Sequence, residues 1–316
     1  MTNFNLLSIK KAAATFMMAA TVLFSSCSKD DPKPADKSIA ALVTANADFS
    51  LLRTALIEAG LVDVLSASGT YTVFAPNNAA FIAAGLDTEA KIKAVPVTTL
   101  KGILTYHVLG QRVASAEIAT ANNTAVKTLN EQNVFITKNG SGVFVNGASV
   151  IQADLNASNG VVHVINSVLM PATGNIVETA QANPNFSYLV AAVLRASQGS
   201  TNVAAALSGA GPLTVFAPTN QAFINAGFPT IASIQAANPA TLTSILTYHV
   251  VSGRVLSSDL TEGAKPATLN GGTLTISLNG GAKVKGNTNA TASVISPANL
   301  ITTNGVIHVV DQVLLP

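Results

Sequence analysis

The residues able to do chemistry in this chain are four histidines and one cysteine: His107, His163, His249, His308 and Cys27. Histidine binds metals and transfers protons near neutral pH, and cysteine is a nucleophile or a soft metal ligand. A zinc site usually needs three or four ligands, whereas the histidines stand more than fifty residues apart along the chain. A single cysteine also excludes a disulfide framework. We therefore expect no metal, no cofactor and no catalytic residue.

Two of the histidines occupy apolar runs that are typical of buried strands. His163 stands between two valines, and His308 stands between an isoleucine and a valine. A buried histidine can satisfy its ring nitrogens with a backbone carbonyl or an asparagine side chain and thereby join two elements. Asn78 and Asn220 each follow a proline turn, and we predict that they are partners of the histidines or helix caps. This interpretation gives all four residues structural roles.

The sequence segments that contain these histidines and asparagines occur twice, as an internal repeat. Three blocks recur in the same order: residues 72–81 as 214–223, residues 103–108 as 245–250, and residues 159–165 as 304–310. The period of about 140 residues is longer than the 20–50 residues of solenoid repeats, so each copy should have its own core. The sequence predicts two tandem domains, residues 37–172 and 173–316.

Within each repeat, the hydrophobic period changes from helical to alternating. Apolar residues at helical spacing follow Asp48, which is a candidate N-cap. We predict a short helix ending near Leu104 and then a strand over residues 106–108. Residues 134–145 alternate around Asn139-Gly140-Ser141-Gly142, which is a hairpin signal. The predicted fold class is α+β, with helices first and an antiparallel sheet after them.

The recurring blocks resemble the fasciclin (FAS1) domain. Its hallmarks are a Thr-Val-Phe-Ala-Pro-Thr-Asn box, a Tyr-His dipeptide and an Asn-Gly-Val-Ile-His-Val-Ile-Asp box. The first repeat departs from this pattern at Asn77, Val162 and Asn166, and we expect the last change to weaken whatever the usual aspartate binds. The resemblance implies a β-wedge of mainly antiparallel strands with N-terminal helices. It also implies an extracellular or surface adhesion module.

The Tyr-His pairs have two interpretations, and both remain open at this point. In some animal members of the family the dipeptide is implicated in integrin binding, and that role would map onto Tyr106, His107, Tyr248 and His249. An apolar-flanked tyrosine in a strand is more often part of a core than of a contact surface. We favour the core interpretation for both pairs.

The amino-terminal residues predict a targeting signal. Lys10 and Lys11 precede an uncharged stretch that ends in Phe24-Ser25-Ser26-Cys27, which resembles a lipobox. We predict a lipoprotein signal peptide over residues 1–26, lipid attachment at Cys27 and a tether over residues 27–36; an ordinary secretory signal is the alternative. Lys29-Asp30-Asp31 resembles the export signal of surface lipoproteins of Bacteroidetes-type bacteria.

Charge and composition limit the partners. Removing the two leader lysines from 17 basic residues leaves 15, which equals the 15 acidic residues. This balance gives no electrostatic basis for nucleic-acid binding. We expect an extracellular protein or polysaccharide ligand and contact with the membrane through the lipid anchor only, in an outer-membrane lipoprotein exposed at the cell surface. The alternative is a scaffold or spacer lipoprotein that faces the periplasm.

Overall fold

The computed structural model describes residues 37–316, which belong to one compact unit, Asp36–Pro316. The predicted signal peptide, Cys27 and the tether lie outside the described residues. The first repeat contains α1 (Ile39–Ala45), α2 (Ser50–Glu58), α3 (Val62–Ser66), β1 (Tyr71–Pro76), α4 (Asn78–Ala83), α5 (Glu89–Lys93), α6 (Val97–Tyr106), β2 (Val108–Leu109), β3 (Ala121–Lys127), β4 (Asn133–Asn139), β5 (Gly142–Val145), β6 (Ala148–Ala157) and β7 (Gly160–Ile165).

The second repeat follows the same order, with its sheet in shorter pieces. It contains α7 (Ile176–Gln181), α8 (Ser187–Ala196), α9 (Val203–Ser208), β8 (Leu213–Pro218), α10 (Asn220–Asn225), α11 (Ile231–Ala236), α12 (Pro239–Tyr248), β9 (Val250–Ser252), β10 (Thr275–Ser277), β11 (Lys283–Lys285), β12 (Ser293–Val294), β13 (Leu300–Thr302) and β14 (Gly305–Val310). Single 3-10 turns, Ala47–Phe49 and Pro184–Phe186, precede α2 and α8.

The sheets are mainly antiparallel, as the sequence predicts, around one parallel pair in each repeat. The first repeat has a seven-stranded sheet in the order β2-β1-β7-β6-β5-β4-β3. In the second repeat, β13-β14-β8-β9 form one sheet and β10-β11-β12 form another. The parallel pairs are β1 with β7 and β8 with β14. The two repeats therefore share a central parallel pair and differ in the strands around it.

The parallel pair separates two apolar clusters in each repeat. Along β1, Val73 and Ala75 belong to the cluster under the helices, whereas Phe74 belongs to the cluster under the antiparallel strands. Successive side chains of a strand point to opposite faces. A strand covered on both faces is therefore apolar throughout, which explains the continuous apolar run of this block.

Two local predictions were wrong at helix ends. Asp48 lies inside the 3-10 turn, and the side chain of Asn46 accepts the hydrogen bond from the Asp48 N–H. Tyr106 is the last residue of α6 and not part of a strand, since β2 begins at Val108. Both errors are shifts of one or two residues at an element boundary, where periodicity gives the least information.

The turn and cap residues act as their chemistry suggests. The predicted hairpin is confirmed, because β4 and β5 pair antiparallel from Asn139 opposite Gly142. Asn77 caps α4 by accepting from the Ala80 N–H, and Thr219 caps α10 in the same way. The departure of Asn77 from the usual threonine therefore keeps the cap. Within residues 37–316, no single helix is long and apolar enough to cross a membrane. Helix α1 and the segment Ala47–Glu58, which are bent by 101° relative to each other, pass that test only as a pair and only by length and composition.

Candidate functional site

The Tyr-His pairs lie in the core. Tyr106 and Tyr248 have no exposed surface. The Tyr106 hydroxyl donates to the Asn133 carbonyl at 2.9 Å and accepts from the Asn146 side-chain amide at 2.9 Å. The Tyr248 hydroxyl donates to the Thr273 carbonyl at 2.6 Å. Both phenols thus join the last turn of a helix to the antiparallel strands.

The two histidines that follow these tyrosines are each held in one neutral tautomer. The His107 ring contacts the Ile103 carbonyl through Nδ1 at 2.8 Å, and its Nε2 accepts from the Leu169 N–H at 2.9 Å. Since Nε2 accepts, the proton lies on Nδ1 and is donated to Ile103. His249 makes the matching contacts with Ile245 and Leu314. Burial lowers the pKa of each ring to about 4, so both histidines are neutral at pH 7.

The strand histidines bridge two loops to the central sheet. His163 Nε2 lies 2.9 Å from the Val113 carbonyl, and His163 Nδ1 accepts from the Asp154 N–H at 3.2 Å. The ring stacks on Phe74 with 5.8 Å between ring centres. The backbone-carbonyl contact that the sequence predicts is therefore present, whereas the predicted asparagine partners lie elsewhere.

His308 repeats this arrangement in the second repeat. It contacts the Val255 carbonyl at 2.8 Å and stacks on Phe216 at 5.6 Å. Its second nitrogen accepts from the Asn299 N–H. Burial lowers the pKa of His308 as well. All four histidines consequently have both ring nitrogens engaged by the backbone, and none offers a free nitrogen to a metal or a substrate.

Asn78 and Asn220 cap helices that lie earlier in the chain. The Asn78 side chain accepts from the Leu51 N–H at 3.1 Å and donates to the Ala47 carbonyl at 3.0 Å. Asn220 accepts from the Tyr188 N–H at 3.0 Å and donates to Pro184. Each asparagine thereby satisfies a first-turn donor of α2 or α8, helices with no capping side chain of their own.

Sequence analysis missed a serine and an Asp or Asn beside each strand histidine. Asp154 accepts from the Ser115 N–H at 2.9 Å and from the Ser115 hydroxyl. These bonds from Ser115 lower the pKa of Asp154. The serine hydroxyl faces the carboxylate and not a histidine nitrogen, so this group does not activate a nucleophile.

The second repeat supports the structural interpretation of this group. Asn299 occupies the position of Asp154, accepts from the Ser257 N–H at 2.8 Å and donates to the Ser257 hydroxyl at 2.6 Å. An amide replaces the carboxylate without loss of the serine contact. The repeated spacing of serine, Asp or Asn, and histidine is the signal that could have revealed the group in the sequence.

A second missed pair of residues anchors the helices to the sheet. Asn159 accepts from the Ile39 N–H and donates to the carbonyls of Leu65 and Ala67. Asn304 makes the equivalent contacts: it accepts from the Ile176 N–H and donates to the carbonyls of Leu207 and Gly209. Each asparagine ties the start of the first helix and the end of the third helix to the central strand.

The departure at Asn166 is compensated. Its side chain accepts from the Ser149 N–H at 2.8 Å, as the Asp311 carboxylate accepts from the Val294 N–H at 2.8 Å. Asp311 also accepts from the Ser293 hydroxyl at 2.6 Å. The asparagine therefore keeps the backbone contact of the aspartate and lacks only the serine contact.

The two repeats contact each other through a polar clamp. We define the clamp by Asn123, Thr137 and Asn139 of the first repeat and by Arg254, Ser258 and Asp259 of the second. Asp259 accepts from the Asn123 amide at 2.8 Å and from the Thr137 hydroxyl at 3.0 Å. Asn139 donates to the Ser258 carbonyl at 3.0 Å. These bonds fix β4 and its neighbouring strand against the loop after β9.

An arginine completes the clamp. The Arg254 guanidinium carbon lies 3.7 Å from the centre of the Phe135 ring, within the range of a cation–π contact. Burial at this contact lowers the pKa of Arg254. The Asn123 amide also donates to the Arg254 carbonyl at 2.8 Å. The junction thus combines hydrogen bonds with a desolvated cation on an aromatic face.

Both repeats also line a cleft of about 720 Å³, which we call the junction cleft. Its walls include residues 146–148 and 166–171 of the first repeat and Thr179 and residues 297–301 of the second. The lining residues that the structure describes include no ionisable side chain. The Thr179 hydroxyl is buried there and has no hydrogen-bond partner among the described residues. The cleft is therefore neutral, with an unused polar group in its wall.

Within the described part of the chain, no three His, Cys, Asp or Glu side chains lie close enough together to hold a metal ion. The clamp and the junction cleft are the two features to which both repeats contribute residues. Both combine side chains from distant parts of the sequence.

Comparison with known proteins identifies the repeats. The family model "Fasciclin domain" matches residues 47–171 and 184–316. The chain is 29% identical over 251 residues to transforming growth factor-beta-induced protein ig-h3 of Sus scrofa, covering 78% of this chain and 35% of that protein. It is 44% identical over 135 residues to protein sll1483 of Synechocystis, covering 42% of this chain and 73% of that protein. The chain spans about a third of the length of the pig relative.

A solved structure gives a further similarity. The FAS1 domain pair of the insect cell adhesion molecule fasciclin I aligns with a TM-score of 0.40 at 19% identity, covering 84% of this chain and 96% of that one. The family match covers both repeats and more than half of the sequence. The chain belongs to the fasciclin-domain family and carries two copies of the domain.

Proposed function

We propose that this protein is a lipid-anchored adhesion module that binds an extracellular protein or polysaccharide at the cell surface and has no catalytic activity. Membership of the fasciclin family supports a binding module, since its members are mostly extracellular or surface adhesion proteins. The bonding of the four histidines agrees with this role, because both nitrogens of every ring already have backbone partners.

The junction cleft is the observation that carries the proposal. Ligand sites occur preferentially at domain interfaces, in clefts of about 300–1,000 Å³, and the junction cleft encloses about 720 Å³. The clamp joins the two repeats that form the cleft walls through the bonds of Asp259. A preorganised cleft loses less conformational entropy when it binds than two freely moving domains would.

The lining of the junction cleft favours an uncharged segment of the ligand. Met170 is 47% exposed and provides an apolar wall. The Thr179 hydroxyl and the side chains of Asn166 and Ser167 provide polar groups. Because none of its lining residues is ionisable, a charged ligand group would lose its hydration there without gaining an ionic partner.

The anchor is the second part of the proposal. Lipidation at Cys27 would hold the protein on the outer membrane without a spanning helix, since acyl chains contribute about 0.8 kcal/mol per buried CH₂. Lys29, Asp30 and Asp31 would direct export to the outer face. A tether of charged and proline residues then separates the fasciclin domains from the membrane.

Protease accessibility on intact cells tests the display. We expect digestion of the natural protein, protection of a variant in which Lys29, Asp30 and Asp31 are all changed to Ala, and release of Cys27→Ala from the membrane. Protection of the natural protein would contradict surface display. That outcome would favour the periplasm-facing scaffold.

A charge placed in the junction cleft tests the binding site. Met170→Glu should abolish the attachment of displaying cells to their natural surface, because the new carboxylate has no ionic partner in the cleft. Ile151→Glu is the matched control, since Ile151 is 53% exposed and does not line the cleft. Equal attachment by both variants would show that the cleft is not the binding site.

A further inference from the structure

The second repeat contains an apolar cavity under its helical layer. The cavity has a volume of about 60 Å³ and lies between α7, α8 and α9 on one side and the central strands on the other. Its walls include Ile176, Ala180, Val193, Ala204, Val215 and Ile307. Well-packed cores contain few voids of this size. The side chains at the matching positions of the first repeat explain its origin.

The cavity coincides with positions where the second repeat has smaller side chains. Helices α1 and α2 begin at residues 39 and 50, and α7 and α8 begin at 176 and 187, a constant offset of 137. This offset places Ala180 at the position of Val43 and Val193 at the position of Leu56. Val43 and Leu56 are buried in the core of the first repeat. The exchanges remove two carbon atoms and one carbon atom from the second core.

The third helix adds to the difference. The equivalent bonds of Asn159 to Leu65 and of Asn304 to Leu207 set an offset of 142. This offset places Ala204, which lines the cavity, at the position of Val62. Two more carbon atoms are therefore missing from the same wall.

Larger side chains elsewhere recover part of the lost volume. Val177 stands at the position of Ala40, and Ile307 stands at the position of Val162. Both larger residues line the cavity and do not close it. The second repeat therefore retains a space where small residues of three helices meet.

The walls of the cavity suit a hydrocarbon group and not water. The polar side chains among its lining are Gln181, which is exposed at the edge, and His249. Both nitrogens of His249 already contact the backbone of Ile245 and Leu314. A buried water needs two to four polar partners, and apolar cavities stay dry and accept apolar ligands.

An outer groove of about 500 Å³ runs along α8 next to the cavity. Val190 and Leu194 line both spaces, and Leu194 is 54% exposed. Arg195 lines the groove beside them. Its Nε donates to the Ala237 carbonyl at 3.0 Å, and its NH1 donates to Gln198 at 2.8 Å. These contacts hold a guanidinium next to an apolar entrance.

The charge of Arg195 is available to a ligand. The four ion pairs found within residues 37–316 do not involve it. In the first repeat, Glu58 stands at the position of Arg195, and Arg53 stands at the position of Val190. The combination of apolar entrance and neighbouring cation therefore belongs to the second repeat.

We infer that the second repeat binds a free straight-chain carboxylate, with the end of its hydrocarbon chain in the cavity and its carboxylate at Arg195. One water needs about 15 Å³ of such space, so about 60 Å³ holds a terminal segment of roughly three or four carbon atoms. The rest of the chain lies in the outer groove. This site is separate from the junction cleft and does not depend on the adhesion proposal.

Titration of the purified protein with octanoate tests the inference. We expect saturable binding by calorimetry and a rise in melting temperature with octanoate concentration. Octan-1-ol should bind more weakly, because it lacks the charge that Arg195 recognises. Absence of saturable octanoate binding would overturn the inference.

Filling the cavity with the side chains of the first repeat tests the location. Ala180→Val combined with Val193→Leu should raise the melting temperature without ligand by about 2–4 °C and weaken octanoate binding at least tenfold. A stable double variant with unchanged affinity would overturn the inference. Ala204→Val fills the same space from α9 and makes the same prediction if the double variant does not fold.

Changing the cation tests the orientation. Arg195→Gln should weaken octanoate binding about tenfold and leave octan-1-ol binding unchanged, since only the carboxylate interacts with the charge. Arg53→Gln is the matched control on the corresponding helix and should affect neither ligand. An equal loss of both ligands in Arg195→Gln would contradict a carboxylate at this position.

Discussion

The two repeats share their buried polar contacts and differ in how their apolar layers are filled. His107 and His249 make matching bonds to the backbone, and so do His163 and His308. In contrast, Ala180 of the second repeat stands at the position of the buried Val43 of the first repeat and lines a cavity. Unpaired buried polar groups are costly, whereas apolar volume can change at a smaller cost. The polar anchors therefore preserve the fold while the core diverges.

The sheets differ for a separate reason. In the first repeat, β6 runs without interruption over Ala148–Ala157, and Gln152 pairs with Val164. An offset of 145 places Pro297 at the position of Gln152, between β12 and β13. Proline has no N–H to donate to a ladder. The second repeat consequently splits one long strand into two short ones and keeps the central parallel pair.

The largest expected effect tests whether the two buried helix-end histidines are equivalent. The pKa of His107 and His249 is about 4 in the folded protein and about 6.5 in an unfolded chain. The unfolded state therefore binds more protons between these values, and the free energy of unfolding is highest above pH 6.5 and falls as the pH approaches 4. Each histidine should account for about 3 kcal/mol of this loss. Urea unfolding at pH 7 and pH 4.5 measures it.

The matched variants of this experiment are His107→Gln and His249→Gln. Glutamine does not titrate, so each variant should lose the part of the pH dependence that its own histidine contributes and keep the part from His308, whose pKa is also lowered by burial. A variant that retains the full dependence would show that its repeat is not stabilised by a neutral histidine.

The next effect compares the strand histidines. His163→Ala and His308→Ala should each lower the free energy of unfolding by about 2–3 kcal/mol, because a loop carbonyl and an N–H lose their buried partner. Thermal denaturation at pH 7 measures the change. Unchanged melting temperatures in both variants would contradict their bridging role.

A smaller effect on stability tests whether Asp259 joins the two repeats or only caps its own loop. Asp259→Ala should cost about 1–2 kcal/mol, because the clamp residues Asn123 and Thr137 lose their acceptor. Glu117→Ala is the control in the first repeat: Glu117 accepts from an N–H three residues earlier, as Asp259 does from Leu256. Small-angle scattering should show greater interdomain mobility for Asp259→Ala alone. Equal scattering curves would contradict the clamp.

The smallest effect concerns the helix caps that differ between the repeats. Asn77→Thr and Thr219→Asn exchange two side chains that both accept from the third helical N–H. Asparagine and threonine are similar as caps, so each variant should change the free energy of unfolding by less than about 0.5 kcal/mol. A larger loss measured by urea unfolding would show that these residues have a further role.

Much of the local structure was predictable because local chemistry determines it. The hairpin around Asn139 and Gly142 follows from turn residues between alternating strands. The core position of Tyr106 follows from its apolar neighbours, although its place in a helix does not. The capping of α2 by Asn78 could not be derived, because the two lie 27 residues apart and meet only in the folded chain.

Sequence patterns alone predict two domains, as the family model also matches, and helices that precede strands. They also predict which residues form the central strands. These properties follow from repeats, periodicity and turn chemistry, which act over a few residues. Three features appear only once the chain is folded: Arg254 lies on Phe135, Ser115 faces Asp154, and small side chains of three helices leave a cavity. Such contacts depend on strand register and on the packing of distant side chains, which no local pattern encodes.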